Sequence, residues 1–203
     1  MVASPNRKER HNAEVRARIL DGAGRVFRAE GYDRAGIDAV MAEAGLTRGA
    51  FYAHFASKEA LFVAVLASRH PLLSRLRARQ GGARELWQAM QATFAAYLAP
   101  EHHDEVSAGC SLAALGRDVS RTGQGAREAY QAAFMAIRAE MARGQAIAEE
   151  DPRLTAALTL ALGAVSTARA LNDPAERDAI LRAAAQGFAI LTTQALEDPR
   201  NGF

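Results

Sequence analysis

Hydrophobic positions along this chain recur with a helical period and almost never alternate one by one. Ile19, Leu20, Ala23, Val26 and Phe27 fall at i, i+1, i+4, i+7 and i+8, the stripe of an amphipathic helix. That stripe predicts a first helix over residues 12–29, ended by Gly31 as a C-terminal cap glycine. A short helix over 37–44 is halted by Gly45. Another short one follows over 47–53, with Thr47 as its N-cap. Ser57 then caps a longer helix that carries Glu59 in its first turn and Leu61, Phe62, Val65 and Leu66 on one face.

Longer helical stretches fill the remainder. Leu86, Met90, Phe94 and Leu98 mark a helix over 83–98 that Pro100 ends. A polar link over 101–105 leads to a helix over 111–120, and a glycine-bearing turn over 121–125 precedes one over 126–148. Pro152 sits in the first turn of the next, which runs to about residue 171. Asn172, Asp173 and Pro174 break the chain before a final helix over 175–196. No run of β-branched or aromatic residues alternates with polar ones, and there is no internal repeat. The pattern predicts an all-α protein of about nine helices.

Composition removes several function classes. Apolar residues make up 49% of the 203 residues and charged residues 24%, which excludes disorder as the main state. No hydrophobic run approaches the roughly 20 residues a membrane span needs. The start is polar and basic without an apolar core behind it, unlike a secretory signal. The single cysteine, Cys110, cannot form an internal disulfide, which fits a reducing compartment. A soluble, cytoplasmic protein is expected. The net charge of +2 says little, but its distribution says more. Arg7, Lys8, Arg10, Arg16, Arg18, Arg25 and Arg28 outnumber Glu9, Glu14 and Asp21 over residues 1–28. Arg69, Arg75, Arg77, Arg79 and Arg84 form a second run without an acidic residue. A basic N-terminal arm suits phosphate and suits a solvated tail equally.

The chemistry concentrates in GYDRAGIDAVMAEAGLTRGAFYAHFASKEAL, residues 31–61. Two short helices separated by Gly45 and Leu46 form a helix-turn-helix. Ile37, Val40, Met41, Leu46, Phe51 and Phe55 are expected to pack the pair against the first helix. Thr47, Arg48, Gly49, Tyr52 and His54 then remain exposed on the second short helix, a face that suits DNA. Arg48 can donate two hydrogen bonds to O6 and N7 of guanine in the major groove. Gly49 leaves backbone free to approach base edges. Tyr52 and His54 can donate to phosphates, as can Lys58 at the start of the following helix.

This segment resembles the DNA-binding domain of TetR-family bacterial transcriptional repressors. The resemblance is carried by Ile19-Leu20, Val26-Phe27, Gly31-Tyr32, Ile37, Val40 and Ala44-Gly45-Leu46. It is carried above all by the run from Thr47 to Phe55, followed by Ser57-Lys58-Glu59-Ala60-Leu61. One departure is that Ala35-Gly36 precede Ile37, where the family commonly has Ser or Thr as the cap. The resemblance implies a DNA-binding domain over 1–56 and a ligand-binding and dimerisation domain over 57–203. It implies a homodimer through the last two helices on a palindromic operator, with half-sites one helical turn or a multiple apart. Ala156, Ala157, Leu160, Ala161, Gly163 and Ala164, then Ile180, Leu181, Ala184, Phe188 and Leu191, are available for the mate. A small-molecule effector, apolar or amphipathic, would bind among Trp87, Met90, Phe94, Cys110, Phe134, Met135 and Arg138.

The function expected is therefore a DNA-binding transcriptional regulator, a repressor released by its ligand. Two alternatives remain open at this level. Cys110, near a helix start, could make the chain a thiol-based sensor of oxidants or electrophiles. The helix-turn-helix could also belong to a protein-interaction module that has lost DNA binding. No nucleophile–base or carboxylate-pair arrangement points to an enzyme. His102-His103-Asp104-Glu105 resembles a metal cluster by composition only, so neither metal nor cofactor is expected.

Overall fold

In the computed structural model, which describes residues 6–68, 70–100 and 109–197, Asn6 starts the first helix well before residue 12. Its Oδ1 accepts from the Glu9 N–H at 2.9 Å, while Glu9 Oε2 accepts from the Asn6 N–H at 2.7 Å. This capping box extends the helix by a turn and a half into the polar arm. The described residues form ten helices and no strand, in agreement with the all-α expectation. In chain order they are α1 (Arg7–Glu30), α2 (Ile37–Glu43), α3 (Arg48–His54), α4 (Lys58–Leu66) and α5 (Pro71–Arg77). They continue with α6 (Ala83–Tyr97), α7 (Ser111–Arg121), α8 (Gln124–Ala142), α9 (Pro152–Arg169) and α10 (Pro174–Glu197).

The helix missing from the sequence reading is α5. Pro71 opens it, with His70 as the residue before, and it buries Leu72, Leu73 and Leu76. The expected helix over 126–148 stops at Ala142 instead, because Gly144 takes φ +82° and the chain turns there. The polar link over 101–105, with its histidine pair, and Arg69 lie outside the described residues.

The chain divides into two compact units. The first comprises Met1–Ser68 and Leu115–Tyr130. Its core is Ile19, Ala23 and Phe27 from α1, Val40 and Met41 from α2, Phe51 from α3, and Leu61, Phe62 and Val65 from α4, all buried. Phe27 meets Phe62 edge-on with ring centres 5.1 Å apart, and Tyr32 closes on Phe62 at 4.8 Å.

The second unit comprises Arg69–Ala114 and Gln131–Phe203. Here α9 and α10 lie side by side, closely enough that a Cβ on Gly187 would come within 2.9 Å of Leu160 Cδ2. Phe94 of α6 stacks on Phe188 of α10 at 4.2 Å, and Gln91 donates to Thr192 Oγ1 at 2.6 Å. Arg79, one of the basic run, is buried rather than solvated. It donates to the carbonyls of Leu76 and Leu86 at 2.7 Å and to that of Glu140. Burial lowers its pKa from the ordinary guanidinium value, and the nearby Arg143 lowers it further.

Leu181, Ala184 and Phe188, read from the sequence as available for a mate, are buried within the protomer. Phe188 of this stripe stacks on Phe94 of α6, and a stripe buried inside the protomer has the same spacing as one left free for a mate. Ala156, Leu160 and Gly163 of α9 remain exposed, as does Ile190 of α10 at 58%.

Candidate nucleic-acid interface

The turn between α2 and α3 is set by backbone hydrogen bonds that only a left-handed residue permits. Gly45 has φ +64°, its N–H donates to Ala42 O at 2.9 Å, and the Leu46 N–H donates to Met41 O at 2.8 Å. These are the paired bonds of a Schellman motif, so Gly45 ends α2 and Leu46 turns the chain toward α3. Three α1 residues hold the turn in place. Arg18 Nη2 donates to the carbonyls of Ala44 at 2.8 Å and Gly45 at 3.0 Å. Gly22 lies so close that a Cβ there would sit 3.0 Å from the Ala44 nitrogen. Arg25 adds an ion pair to Glu43 at 2.5 Å and another to Asp21 at 2.6 Å.

Phe51 and Phe55 anchor α3 from beneath, both buried as expected, with Arg16 over the Phe55 ring at 4.8 Å. What faces outward is Thr47, Arg48, Gly49 and Tyr52, with Tyr52 60% exposed and His54 half-buried at the far end. A Cβ on Gly49 would meet nothing within 4 Å, so this glycine fills no packing need inside the unit. Thr47 occupies the N-cap position but makes no side-chain cap bond. Arg48 forms an ion pair with Asp38 at 2.7 Å, both side chains being largely exposed. Its pKa is raised by a hydrogen bond with the Tyr52 hydroxyl first, then by the Asp38 charge.

Lys58 is placed differently from the sequence reading. Its ammonium donates to the carbonyls of Tyr32 at 2.9 Å, Ala35 at 3.2 Å and Asp33 at 3.4 Å, and lies 4.5 Å from the Tyr32 ring centre. All three donors serve the loop between α1 and α2. Ser57 does cap α4, accepting from the Ala60 N–H at 3.0 Å. The structure thus brings Thr47, Arg48, Gly49 and Tyr52 onto one face of α3 and sends Lys58 inward.

Residues 19–65 match the profile of bacterial regulatory proteins of the tetR family. Over these residues the chain is similar to the DNA-binding part of tetR-family regulators. A transcriptional repressor of the helix-turn-helix type from Mycobacterium tuberculosis is 38% identical over 77 residues, which is 38% of this chain and 41% of that protein. The chain spans less than half the length of the curated relatives it matches first, 41%, 28% and 45%. Solved structures resemble the chain over most of its length and show its fold. The reduced form of NemR from E. coli covers 86% of this chain and 94% of its own at 22% identity and a TM-score of 0.69. A complex of SmeT with triclosan covers 91% and 93% at 21% identity and a TM-score of 0.63.

Arg18, Gly22 and Arg25 escaped the sequence reading because helical period alone does not say which residue reaches a turn 18 to 27 residues away. The candidate effector residues all fall in the second unit. Met90, Phe94 and Cys110 are buried there, Trp87, Phe134 and Arg138 half-buried, and Met135 turned outward at 45% exposure. Arg138 donates to Thr155 Oγ1 at 3.2 Å. Among the described residues no single helix is long and apolar enough to cross a membrane.

Proposed function

We propose that this chain is a dimeric, cytoplasmic DNA-binding transcriptional repressor, released from a palindromic operator by a small molecule. The observation that carries the reading is the outward face of α3, where Arg48, Gly49 and Tyr52 stand clear of the core that Phe51 and Phe55 fix beneath them. Arg48 reads a guanine edge, Gly49 lets the helix backbone approach the groove, and Thr47, Tyr52 and His54 hold phosphates. Asp38 keeps Arg48 in place until DNA arrives. Lys58 contributes by holding the loop that carries α2 rather than by meeting phosphate.

A mate that pairs through α9 and α10 would use the exposed Ala156, Leu160, Gly163 and Ile190. Two α3 helices then meet successive major-groove faces. The effector binds in the second unit, near the half-buried Trp87, Phe134 and Arg138. The SmeT structure with triclosan supports an apolar or amphipathic molecule. α7 starts in the second unit and continues into the first, where Asp118 accepts from the Tyr32 N–H, so an effector that shifts α7 biases the helix-turn-helix.

Selection from random double-stranded DNA tests the reading. Enrichment of a palindrome whose half-sites are one helical turn or a multiple apart is the expected result. Enrichment of no sequence over background contradicts it.

A further inference from the structure

Arg169 is the last residue of α9. It continues the line of Leu158, Leu162 and Val165, at i+4 and i+3 spacing, and those three are buried inside the second unit. Its Nε and Nη1 are sealed from solvent and, among the described residues, have no hydrogen-bond partner. Its Nη2 lies against Gly109, filling the space a Cβ would take, so the glycine is what admits the guanidinium there. Arg169 is half-buried as a whole residue, whereas Arg79 of the same unit is fully buried and is treated quite differently. Arg79 donates to three backbone carbonyls and lies 3.6 Å from the Glu140 carboxylate. Folded chains rarely bury a guanidinium without acceptors, because its N–H groups lose water and gain nothing. The end of a helix dipole favours a cation at this place but supplies Nε and Nη1 with no acceptor.

We propose that Arg169 is the anion-recognising group of an effector site, and that the effector is a carboxylate-bearing organic monoanion. The inference rests on reading the second unit as the effector domain, and it names the ligand class. One guanidinium is neutralised by one carboxylate, whose two oxygens match the planar donors. A dianionic phosphate would leave one of its charges uncompensated by a single guanidinium. The apolar line of Leu158, Leu162 and Val165 on the same face favours an organic acid over an inorganic anion.

The test is thermal unfolding of the full chain in a low-salt zwitterionic buffer, with matched probes. Benzoate and octanoate are compared with benzamide and octanamide, which keep the shape and lose the charge. The carboxylates should raise the Tm by about 2–6 °C at millimolar concentration, and the amides should not. Arg169→Met should abolish that difference while melting no lower than the natural chain without probe. Arg169→Gln serves if the Met variant does not fold. Equal shifts in both chains, or no carboxylate shift in the natural one, overturn the proposal. So does a probe-free Arg169→Met that melts several degrees lower, which would mean the guanidinium already has its acceptor. Sedimentation completes the set: a dimer that falls apart in Arg169→Met places the missing carboxylate on the mate and overturns the effector site. No DNA enters these measurements, so failure of the regulator reading shows separately, as absent operator binding by the natural chain.

Discussion

The backbone N–H of Tyr32 donates to Oδ1 of Asp118 at 2.7 Å, across 86 residues of sequence. Tyr32 stands in the loop between α1 and α2, and Asp118 lies in the part of α7 that belongs to the same compact unit. Gly31, just before it, has φ +80°, and a Cβ there would sit 3.1 Å from the same carboxylate oxygen. The loop that sets α2 is therefore held from two sides, by Asp118 on its amide and by Lys58 on its carbonyls.

Removing the first of these should be costly. Asp118→Ala leaves the Tyr32 amide without its charged acceptor in a half-buried place, a loss of about 1–2 kcal/mol. Asp118→Asn keeps an acceptor oxygen and should lose less. Urea denaturation of the three chains checks both, and an Asp118→Ala midpoint equal to the natural one would remove the tether from the account.

Lys58, read from the sequence as a phosphate contact, donates instead to loop carbonyls, and the two roles can be told apart by measurement. A lysine on phosphate contributes to the salt dependence of DNA binding, about one unit of slope. A lysine on three carbonyls and a tyrosine ring contributes to stability. Lys58→Met should therefore destabilise the chain by about 1–3 kcal/mol and leave the salt slope of operator binding unchanged. A slope lower by one with stability intact would return the residue to the DNA.

Two glycines of α1 should respond in opposite directions. Alanine at either gains helix propensity, about 0.5–1 kcal/mol. At Gly22 the new Cβ presses on the backbone of Ala44, 3.0 Å from its nitrogen, and crowding of that kind costs about 1–3 kcal/mol. Crowding wins, so Gly22→Ala should be destabilised by about 1–2 kcal/mol, with weaker operator binding because the turn before α3 shifts. At Gly24 the Cβ meets only the guanidinium end of Arg28, which can swing aside. Gly24→Ala should melt at or above the natural chain. Calorimetry of the pair decides it.

Much of this was legible in the sequence, for identifiable reasons. The i, i+3, i+4 stripes located α1 and α6, since burying one face imposes that spacing, while Pro152 and the break at Asn172-Asp173-Pro174 bounded α9. Gly45 and Ser57 punctuated the helices as their chemistry requires, and Phe51 and Phe55 fell inside as expected. Asn6-x-x-Glu9 was a legible capping box that the apolar stripe, starting later, overshadowed. The short α5 was not marked by polar alternation, because three of its seven residues are buried leucines beside Pro71. Contacts at long range were beyond reach. Nothing in the spelling of Asp38, Lys58 or Asp118 says that they meet Arg48, the loop carbonyls and Tyr32.

The most direct measurement is binding of the natural chain and Arg48→Ala to the selected palindrome. Both partners of the Arg48–Asp38 pair are largely exposed, so losing that pair should barely change stability. A lost bidentate contact to guanine costs about 1–3 kcal/mol, roughly 5- to 150-fold per half-site. The account predicts a variant that melts like the natural chain, keeps its oligomeric state, binds the palindrome at least tenfold more weakly and discriminates less at one base position. Unchanged affinity and unchanged discrimination would contradict the assignment of α3 as the reading helix.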